Sequence, residues 1–294
     1  MKMSKKQKKE NFWAYIFVGP QLLGFLLFVA FPLLFSIYLC FAQWNFIDMP
    51  TFVGLDNFKA IFRDQIFFKS IGNTFIYIII TVPLTLITSL TLALLTNRKL
   101  PFMKFYRAAF FLPMVTSTVA IAMVWLFIYQ PYGGILNTIL EFFGVQNPPK
   151  WLQDSSLARF AVSLVTIWLK VGYYYIIFDA GLKNIPTELY EAASIDGAST
   201  WTKIKRITIP MLSSVMFFVT VMLFIDIFNM FNEVYIMTAG GPDYSTYTLS
   251  MYIYFYAFNQ FDMGRAAVGS WILFLLVSIV TIIQFQIKKR LVID

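Results

Sequence analysis

Polar side chains interrupt the apolar second half of this sequence, and their types suit the binding of a hydroxyl-rich solute. Aromatic rings offer faces to sugar rings, while amide, carboxylate and ammonium groups supply hydrogen-bond donors and acceptors. A charged group at the centre of a bilayer costs at least ~2.5–3.5 kcal/mol, so its presence needs a reason. The candidates for a substrate path are Lys170, Tyr173, Tyr174, Asp226, Asn229 and Glu233.

Lys170 and Asp226 lie at similar distances from the ends of the two apolar segments that carry them. We therefore expect them to form an ion pair or to share a water-filled cavity. The spacing of Asp226, Asn229 and Glu233 predicts that they share one helical face. A structural ion pair with polar helix–helix contacts would explain the same residues without any substrate, so both interpretations stay open.

Several kinds of chemistry are disfavoured by what the sequence lacks. It contains no histidine, and Cys40 is its single cysteine, so imidazole ligands and an intrachain disulfide are excluded. It also lacks the glycine-rich G-x-x-x-x-G-K-[ST] loop that holds ATP phosphates. We expect a chain without catalytic residues, bound metal or a cofactor of its own.

The composition predicts a membrane protein. Of its 294 residues, 59% are hydrophobic and 13% are charged, about half the charged fraction of soluble domains. A spanning helix needs ~20 mostly apolar residues. The sequence predicts an all-α, multi-pass bundle in a single domain (1–294), with about six spans near 13–42, 72–96, 108–129, 159–181, 210–237 and 266–287.

Positive charge predicts the orientation of the bundle. The N-terminal segment, every second connection and the C-terminal segment hold most of the 23 lysines and arginines. Because cytoplasmic loops are enriched in these residues, we expect both termini on the cytoplasmic side of a cytoplasmic membrane. The net charge of +8 then belongs to helix ends, and nucleic-acid binding is not expected.

The predicted inner connection 182–210, here called the coupling loop, has the pattern of a helix–turn–helix. Pro186 suits a helix start, and Asp196-Gly197 indicates a break with a left-handed cap. Ser199 or Thr200 could cap a second helix, which Pro210 limits. The loop could simply anchor span ends at the lipid surface, but small alanines around Glu191 favour a protein-docking surface.

The coupling loop resembles the EAA loop of binding-protein-dependent ABC importer permeases. The resemblance rests on Glu191-Ala192-Ala193, three residues, Gly197, nine residues, and then Ile207-Thr208-Ile209-Pro210, with Ile209 in place of the usual leucine. Other segments resemble the carbohydrate-uptake branch, which includes the maltose and glycerol-3-phosphate permeases. They are Gly54-Leu55-Asp56-Asn57-Phe58, Asn73-Thr74, Arg107, Pro113, Trp125 and Thr238–Pro242.

The resemblance implies a set of partners. They are a second homologous permease, two cytoplasmic ATP-binding subunits that hold ATP and Mg²⁺, an extracytoplasmic solute-binding protein and the lipid bilayer. It also implies a bacterial or archaeal cytoplasmic membrane, and an EAA loop that couples to the ATPase. The coupling residues it marks are Tyr190, Glu191, Ala192, Ala193, Asp196 and Gly197.

A second turn lies in the predicted outer loop after span five. Gly240, Gly241 and Pro242 give a strong turn signal. This turn either ends a helix or shapes an outer gate, and both interpretations stay open. We expect a short outer helix somewhere within 244–261.

Two other functions are alternatives to the importer hypothesis. An ion- or proton-coupled secondary transporter would use Lys170, Asp226 and Glu233 as ion sites, but such proteins usually have inverted repeats and broken helices, which the sequence does not reveal. A membrane-embedded enzyme would need clustered acid–base or metal residues, and few are available without histidine.

Overall fold

The structure is a computed structural model that describes residues 5–97 and 102–291. It is almost entirely helical. The chain divides into two compact units, one formed by Met1–Arg63 with Ile253–Trp271 and the other by Asp64–Tyr252 with Ile272–Asp294. Each unit is described separately below.

The first unit begins with a long apolar helical segment. Its elements are α1 (Lys5–Phe25), a π-helical turn (Leu26–Ala30), α2 (Phe31–Leu39), the short strands β1 (Ala42–Gln43) and β2 (Thr51–Phe52), α3 (Asp56–Arg63) and a π-helical turn (Phe255–Asn259). The strands pair antiparallel, with Ala42 opposite Phe52. This pair is the one departure from an all-α chain among the described residues.

Asn57 holds the end of α2 in the first unit. Its side-chain amide is buried and donates to the carbonyl oxygens of Cys40 at 3.1 Å and Ala42 at 2.9 Å. Gly264 packs directly against the Asn57 amide and the Ala42 carbonyl, where a Cβ would have no room. Asn57 belongs to the segment Gly54-Leu55-Asp56-Asn57-Phe58 that was noted in the sequence. In this structure its side chain has a structural role, because it binds the backbone at the end of α2.

The second unit is a helix bundle. Its elements are α4 (Gln65–Thr96), α5 (Met103–Val115), α6 (Thr118–Ile128), α7 (Ile135–Phe142), α8 (Ser155–Lys183), α9 (Thr187–Ile195), α10 (Thr200–Lys203), a π-helical turn (Ile204–Thr208), α11 (Ile209–Met211), α12 (Ser213–Phe228) and α13 (Asn232–Met237). Two helices cross the boundary between the units: α14 (Leu249–Tyr254) belongs here up to Tyr252, and α15 (Met263–Leu291) from Ile272 onward.

Helices α4 and α8 form the core of this bundle. Gly172 of α8 lies directly against the Phe110 carbonyl, so its missing side chain lets α5 approach α8 closely. The Asp154 carboxylate caps the start of α8 by accepting from the amides of Ser156 at 2.8 Å and Leu157 at 3.1 Å. The Ser156 hydroxyl and these amides hold the pKa of that carboxyl below its usual range.

Four helices in the described residues are long and apolar enough to cross a membrane. They are Phe12–Leu39, Gln65–Thr96, Ser155–Lys183 and Met263–Lys288. Two bent helix pairs raise the number to six if each pair is one span. The prediction of about six spans therefore agrees with the upper figure.

The predicted third span, 108–129, is broken by a sharp bend. Helices α5 and α6 meet at 99°. Thr116 is extended and Ser117 is also non-helical between them, and the Thr116 hydroxyl donates to the Leu112 carbonyl at 2.9 Å. Such local side-chain bonding competes with helix continuation.

The predicted fifth span, 210–237, is likewise broken. The helical axis bends by 67° near Leu212, and α12 stops at Phe228. Asn229 ends it by donating from its side chain to the Ile225 carbonyl at 2.8 Å. The predicted single helical face shared by Asp226, Asn229 and Glu233 is therefore wrong, because Glu233 lies in the first turn of α13.

Candidate functional site

A polar cavity of about 200 Å³ lies within the second unit, where α6, α8, α12 and α13 meet. The break after Phe228 turns the chain so that residues of α12 and α13 face the same space. The cavity thus contains four of the six candidate substrate-path residues. They are Lys170, Asp226, Asn229 and Glu233.

Lys170 and Asp226 form the expected ion pair. Lys170 Nζ lies 2.9 Å from Asp226 Oδ2, and each side chain is 31% exposed. The Tyr174 hydroxyl donates to the same oxygen at 2.8 Å. A charge-assisted network of this kind fixes the carboxylate and leaves part of it open to the cavity.

Two other candidates, Glu233 and Tyr173, differ in their position relative to the cavity. Glu233 is 7% exposed and lines the cavity. Tyr173 is half-buried and packs edge-on against Tyr174, with ring centroids 5.1 Å apart, but it does not line the cavity.

Three further polar residues that line the cavity were missed by the sequence reasoning. They are Thr118, Thr166 and Asn232. Threonines are common in apolar helices, so only the helix breaks revealed which of them face the cavity. Among the described residues no cluster of histidine, cysteine, aspartate and glutamate could hold a metal ion.

The predicted turn at Gly240, Gly241 and Pro242 is tightly built. Gly240 has φ +86° and is buried against the Tyr247 ring, which leaves no space for a Cβ. The Thr246 hydroxyl donates to the Gly241 carbonyl at 2.9 Å. Gly240 is therefore required by the packing of this turn.

Asn73 of α4 holds the segment that follows the turn. Its amide donates to the carbonyls of Tyr244 at 2.7 Å and Tyr247 at 3.0 Å, and Lys69 donates to the Asp243 carbonyl. The short helix expected within 244–261 is present as α14.

The coupling loop has the predicted helix–turn–helix. Gly197 follows α9 with φ +73°, and the Ala198 amide donates back to the Ala193 carbonyl at 2.8 Å. This is the glycine-dependent helix ending predicted from the sequence. Ser199 caps α10 by accepting from the Thr202 amide at 3.2 Å.

Two side-chain contacts that sequence reasoning missed tie the coupling loop together. The hydroxyls of Tyr190 and Thr208 lie 2.9 Å apart. Lys203 Nζ donates to the Ser194 hydroxyl at 2.6 Å. Helix α9 is thus fixed to the segment that begins with α10.

One face of the coupling loop is exposed. Glu191, Ala192, Asp196 and Gly197 are all exposed, and Ala193 is half-buried. Large apolar side chains stand beside them, because Ile195 is 87% and Trp201 69% exposed. Exposed large apolar groups on a rigid loop are typical of a protein contact.

Residues 67–293 match the family model described as "Binding-protein-dependent transport system inner membrane component". The chain belongs to this family of transport-system membrane components. It is a transport subunit of the inner-membrane class rather than an enzyme.

Two relatives align along nearly the whole of this permease-family chain. The probable ABC transporter permease protein YesP of Bacillus subtilis is 36% identical over 97% of this chain and 93% of its own length. The lactose transport system permease protein LacF of Rhizobium radiobacter is 33% identical over 97% and 96%.

The fold is also found in a solved structure. A chain of a bacterial alginate ABC transporter, crystallised with an alginate pentasaccharide-bound periplasmic protein, aligns with a TM-score of 0.86 at 22% identity. The alignment covers 97% of this permease and 96% of that chain. The permease therefore has the polytopic helical fold of ABC importer membrane subunits.

Proposed function

We propose that this permease forms half of the translocation path of an ATP-driven importer for a neutral carbohydrate. The observation that carries the proposal is the coupling loop. Its helices are joined by side-chain hydrogen bonds and present an exposed face at the residues that resemble the EAA motif. Family membership supports it, since permeases of this family are transport subunits. The chain would act with a second homologous permease, two cytoplasmic ATP-binding subunits and an extracytoplasmic solute-binding protein.

The proposed orientation places both termini and the coupling loop on the cytoplasmic side. The distribution of lysine and arginine supports it. In this orientation the turn at Gly240, Gly241 and Pro242 lies on the outer side, where it would form part of the gate or meet the solute-binding protein.

The coupling loop would bind the ATPase through its exposed face. Ile195 and Trp201 would supply apolar contact area, with Glu191 beside them. The Tyr190–Thr208 and Lys203–Ser194 contacts would make the loop move as one body. A rigid loop transmits displacement of a partner into the spans that follow it.

The cavity supports a neutral carbohydrate as the substrate. Its ionisable groups are one ammonium and two carboxylates, and the ammonium of Lys170 is already paired with Asp226. An anionic solute would therefore meet net negative charge when both carboxylates are ionised. Hydroxyl groups, in contrast, could bond to Asn229, Thr166 and the open oxygen of Asp226. The lactose permease relative is consistent with this class.

Transport would follow a two-state cycle. ATP binding closes the partner ATPase dimer, the coupling loop moves, and the spans open outward to receive the solute. Hydrolysis of ATP on the partner, with its Mg²⁺, restores the inward-facing state. The energetic requirement is that the partner binds the two states with different affinity.

The test is transport by the assembled complex in proteoliposomes with the solute-binding protein outside. A panel of lactose, maltose, a sugar alcohol, glycerol 3-phosphate and a uronate oligosaccharide would be offered at equal concentrations. We expect a neutral sugar to stimulate ATP hydrolysis at least about tenfold more than either anion, which corresponds to ~1.4 kcal/mol. Stimulation by the anions alone would contradict the substrate class.

One observation favours the ion- or proton-coupled alternative. The bends at Thr116–Ser117 and Leu212 give this chain the broken spans that secondary transporters often show. The same proteoliposomes separate the two functions. Uptake driven by an imposed ion gradient without ATP would support the alternative, whereas strict dependence on ATP enclosed in the proteoliposomes supports the importer.

A further inference from the structure

An apolar groove lies between α12 and the end of α15, within the second unit and away from the polar cavity. It encloses about 710 Å³, within the ~300–1,000 Å³ range of small-molecule sites. Its deeper part is lined by Met216, Phe217, Thr220 and Phe224. Its other end is formed by Ile209, Pro210, Ser213, Ile287 and Lys288.

Two polar side chains stand in order along the α15 wall of this groove. Lys288 lies at the end, with Nζ 5.3 Å from the centroid of the Phe217 ring, and among the described residues it forms no ion pair. Gln284 lies one turn further in. Both its amide nitrogen and its amide oxygen are buried and have no hydrogen-bond partner in the described chain.

We propose that the groove binds one acyl chain of an anionic glycerophospholipid from the surrounding bilayer. The order of groups on the wall matches the order along such a lipid. Lys288 would pair with the phosphate-containing headgroup, Gln284 would bond to the glycerol ester, and the acyl chain would lie against Phe217, Thr220 and Phe224. Buried polar groups generally have a partner, and the ester supplies the one that Gln284 lacks.

The depth of the groove fits a lipid. From Ser213 to Phe224 the wall of α12 rises about 16 Å at 1.5 Å per residue. This is about half of the ~30 Å hydrocarbon core, and hence the thickness of one leaflet. A headgroup held at Lys288 would place its acyl chain along this wall.

The polar groups on the wall of the groove disfavour an apolar transmembrane helix of a partner subunit as its occupant. Such a helix would leave the Lys288 ammonium and the buried Gln284 amide without partners.

The experiment is native mass spectrometry of the assembled, detergent-purified complex with added phosphatidylglycerol or phosphatidylcholine of identical acyl chains. The wild-type complex should retain phosphatidylglycerol about fivefold better than phosphatidylcholine, the ratio expected for one lysine near an anionic group. Lys288→Gln should remove this preference, and Lys288→Arg should keep it. Lys150→Gln, which changes an exposed lysine outside the groove, should have no effect.

A second variant distinguishes the ester contact from the headgroup contact. Gln284→Leu should lower retention of both lipids alike, because both carry the glycerol ester. Equal retention of the two lipids by the wild type, or unchanged preference in Lys288→Gln, would overturn the proposal. So would Thr220→Phe, which fills the groove, if it displaced the partner permease while leaving lipid retention intact. These readouts do not depend on which solute is transported.

Discussion

The polar cavity and the coupling loop differ in what their polar side chains bind. In the cavity, charged side chains satisfy one another, with Lys170 and Tyr174 both bound to Asp226. In the coupling loop, side-chain hydroxyls and the Lys203 ammonium fix the backbone segments, and the face around Glu191 remains exposed.

This difference indicates how each region responds to change. Loss of one cavity group leaves the others without a partner in a partly buried site, so its effects are large and strongly coupled. Loss of one loop contact loosens a connection that others still maintain, so its effects are smaller. The predictions below test this contrast, beginning with the cavity.

Asp226→Ala should abolish uptake and leave assembly of the complex intact. The substitution leaves the Lys170 ammonium and the Tyr174 hydroxyl without their acceptor. The cost should be about 2 kcal/mol, less than the ~3–5 kcal/mol of a fully buried pair, because both side chains are 31% exposed. Uptake into proteoliposomes and the subunit ratio of the purified complex measure the two effects.

The double variant Lys170→Met with Asp226→Leu separates a structural ion pair from a substrate contact. If the pair only stabilises the bundle, removal of both charges should restore uptake, since no charge remains unpaired. If Asp226 contacts the solute, as proposed, the double variant should stay inactive although it assembles. Lys59→Ala is the control, because it breaks a pair whose side chains are 64% and 68% exposed and should change uptake little.

The coupling loop is tested by Gly197→Val. At φ +73° no atom of this chain lies within 4 Å of the position of a new Cβ, so inside the chain the substitution acts through the backbone alone. A left-handed conformation costs an ordinary residue roughly 1–2 kcal/mol, and a β-branched one more. We expect solute-stimulated ATP hydrolysis to fall about tenfold, while the unstimulated rate of the ATP-binding subunits stays unchanged.

Gly144→Val is a matched control for that variant. Gly144 has φ +90°, and its Cβ position is also open, but it lies in the connection after α7 rather than in the coupling loop. It should carry similar backbone strain without loss of stimulation. Equal loss in both variants would mean that general destabilisation, and not coupling, explains the effect.

The coupling loop was largely predictable from the sequence because its signals are local. Gly197 after α9 and Ser199 before α10 are capping residues whose preferences hold over a few neighbouring positions. The number of apolar segments was predictable for a similar reason, since hydropathy over about 20 residues reflects the thickness of the bilayer.

The shape of the cavity was not predictable, because it depends on breaks inside apolar segments. Near Thr116 and Asn229 the local signals are Pro113 and a few polar residues, which are also found within intact membrane helices. The pairing of Lys170 with Asp226 followed from their equal depth. The contribution of Asn232 required the turn after Phe228, which tertiary packing determines.

The smallest predicted effect concerns the rigidity of the coupling loop. Tyr190→Phe removes the hydroxyl that lies 2.9 Å from Thr208 Oγ1 and keeps the ring. A hydrogen bond of this type contributes ~0.5–1.5 kcal/mol. Lys203 would still hold Ser194, so the loop should keep its fold and lose part of its stiffness. Stimulated ATP hydrolysis should fall two- to fivefold, about what 0.5–1 kcal/mol would produce.

Tyr132→Phe, at a tyrosine that is 84% exposed, is the control and should not change the rate. A loss in Tyr190→Phe as large as that in Gly197→Val would mean that this one hydroxyl contact controls coupling. The contrast with the strongly coupled cavity would then fail.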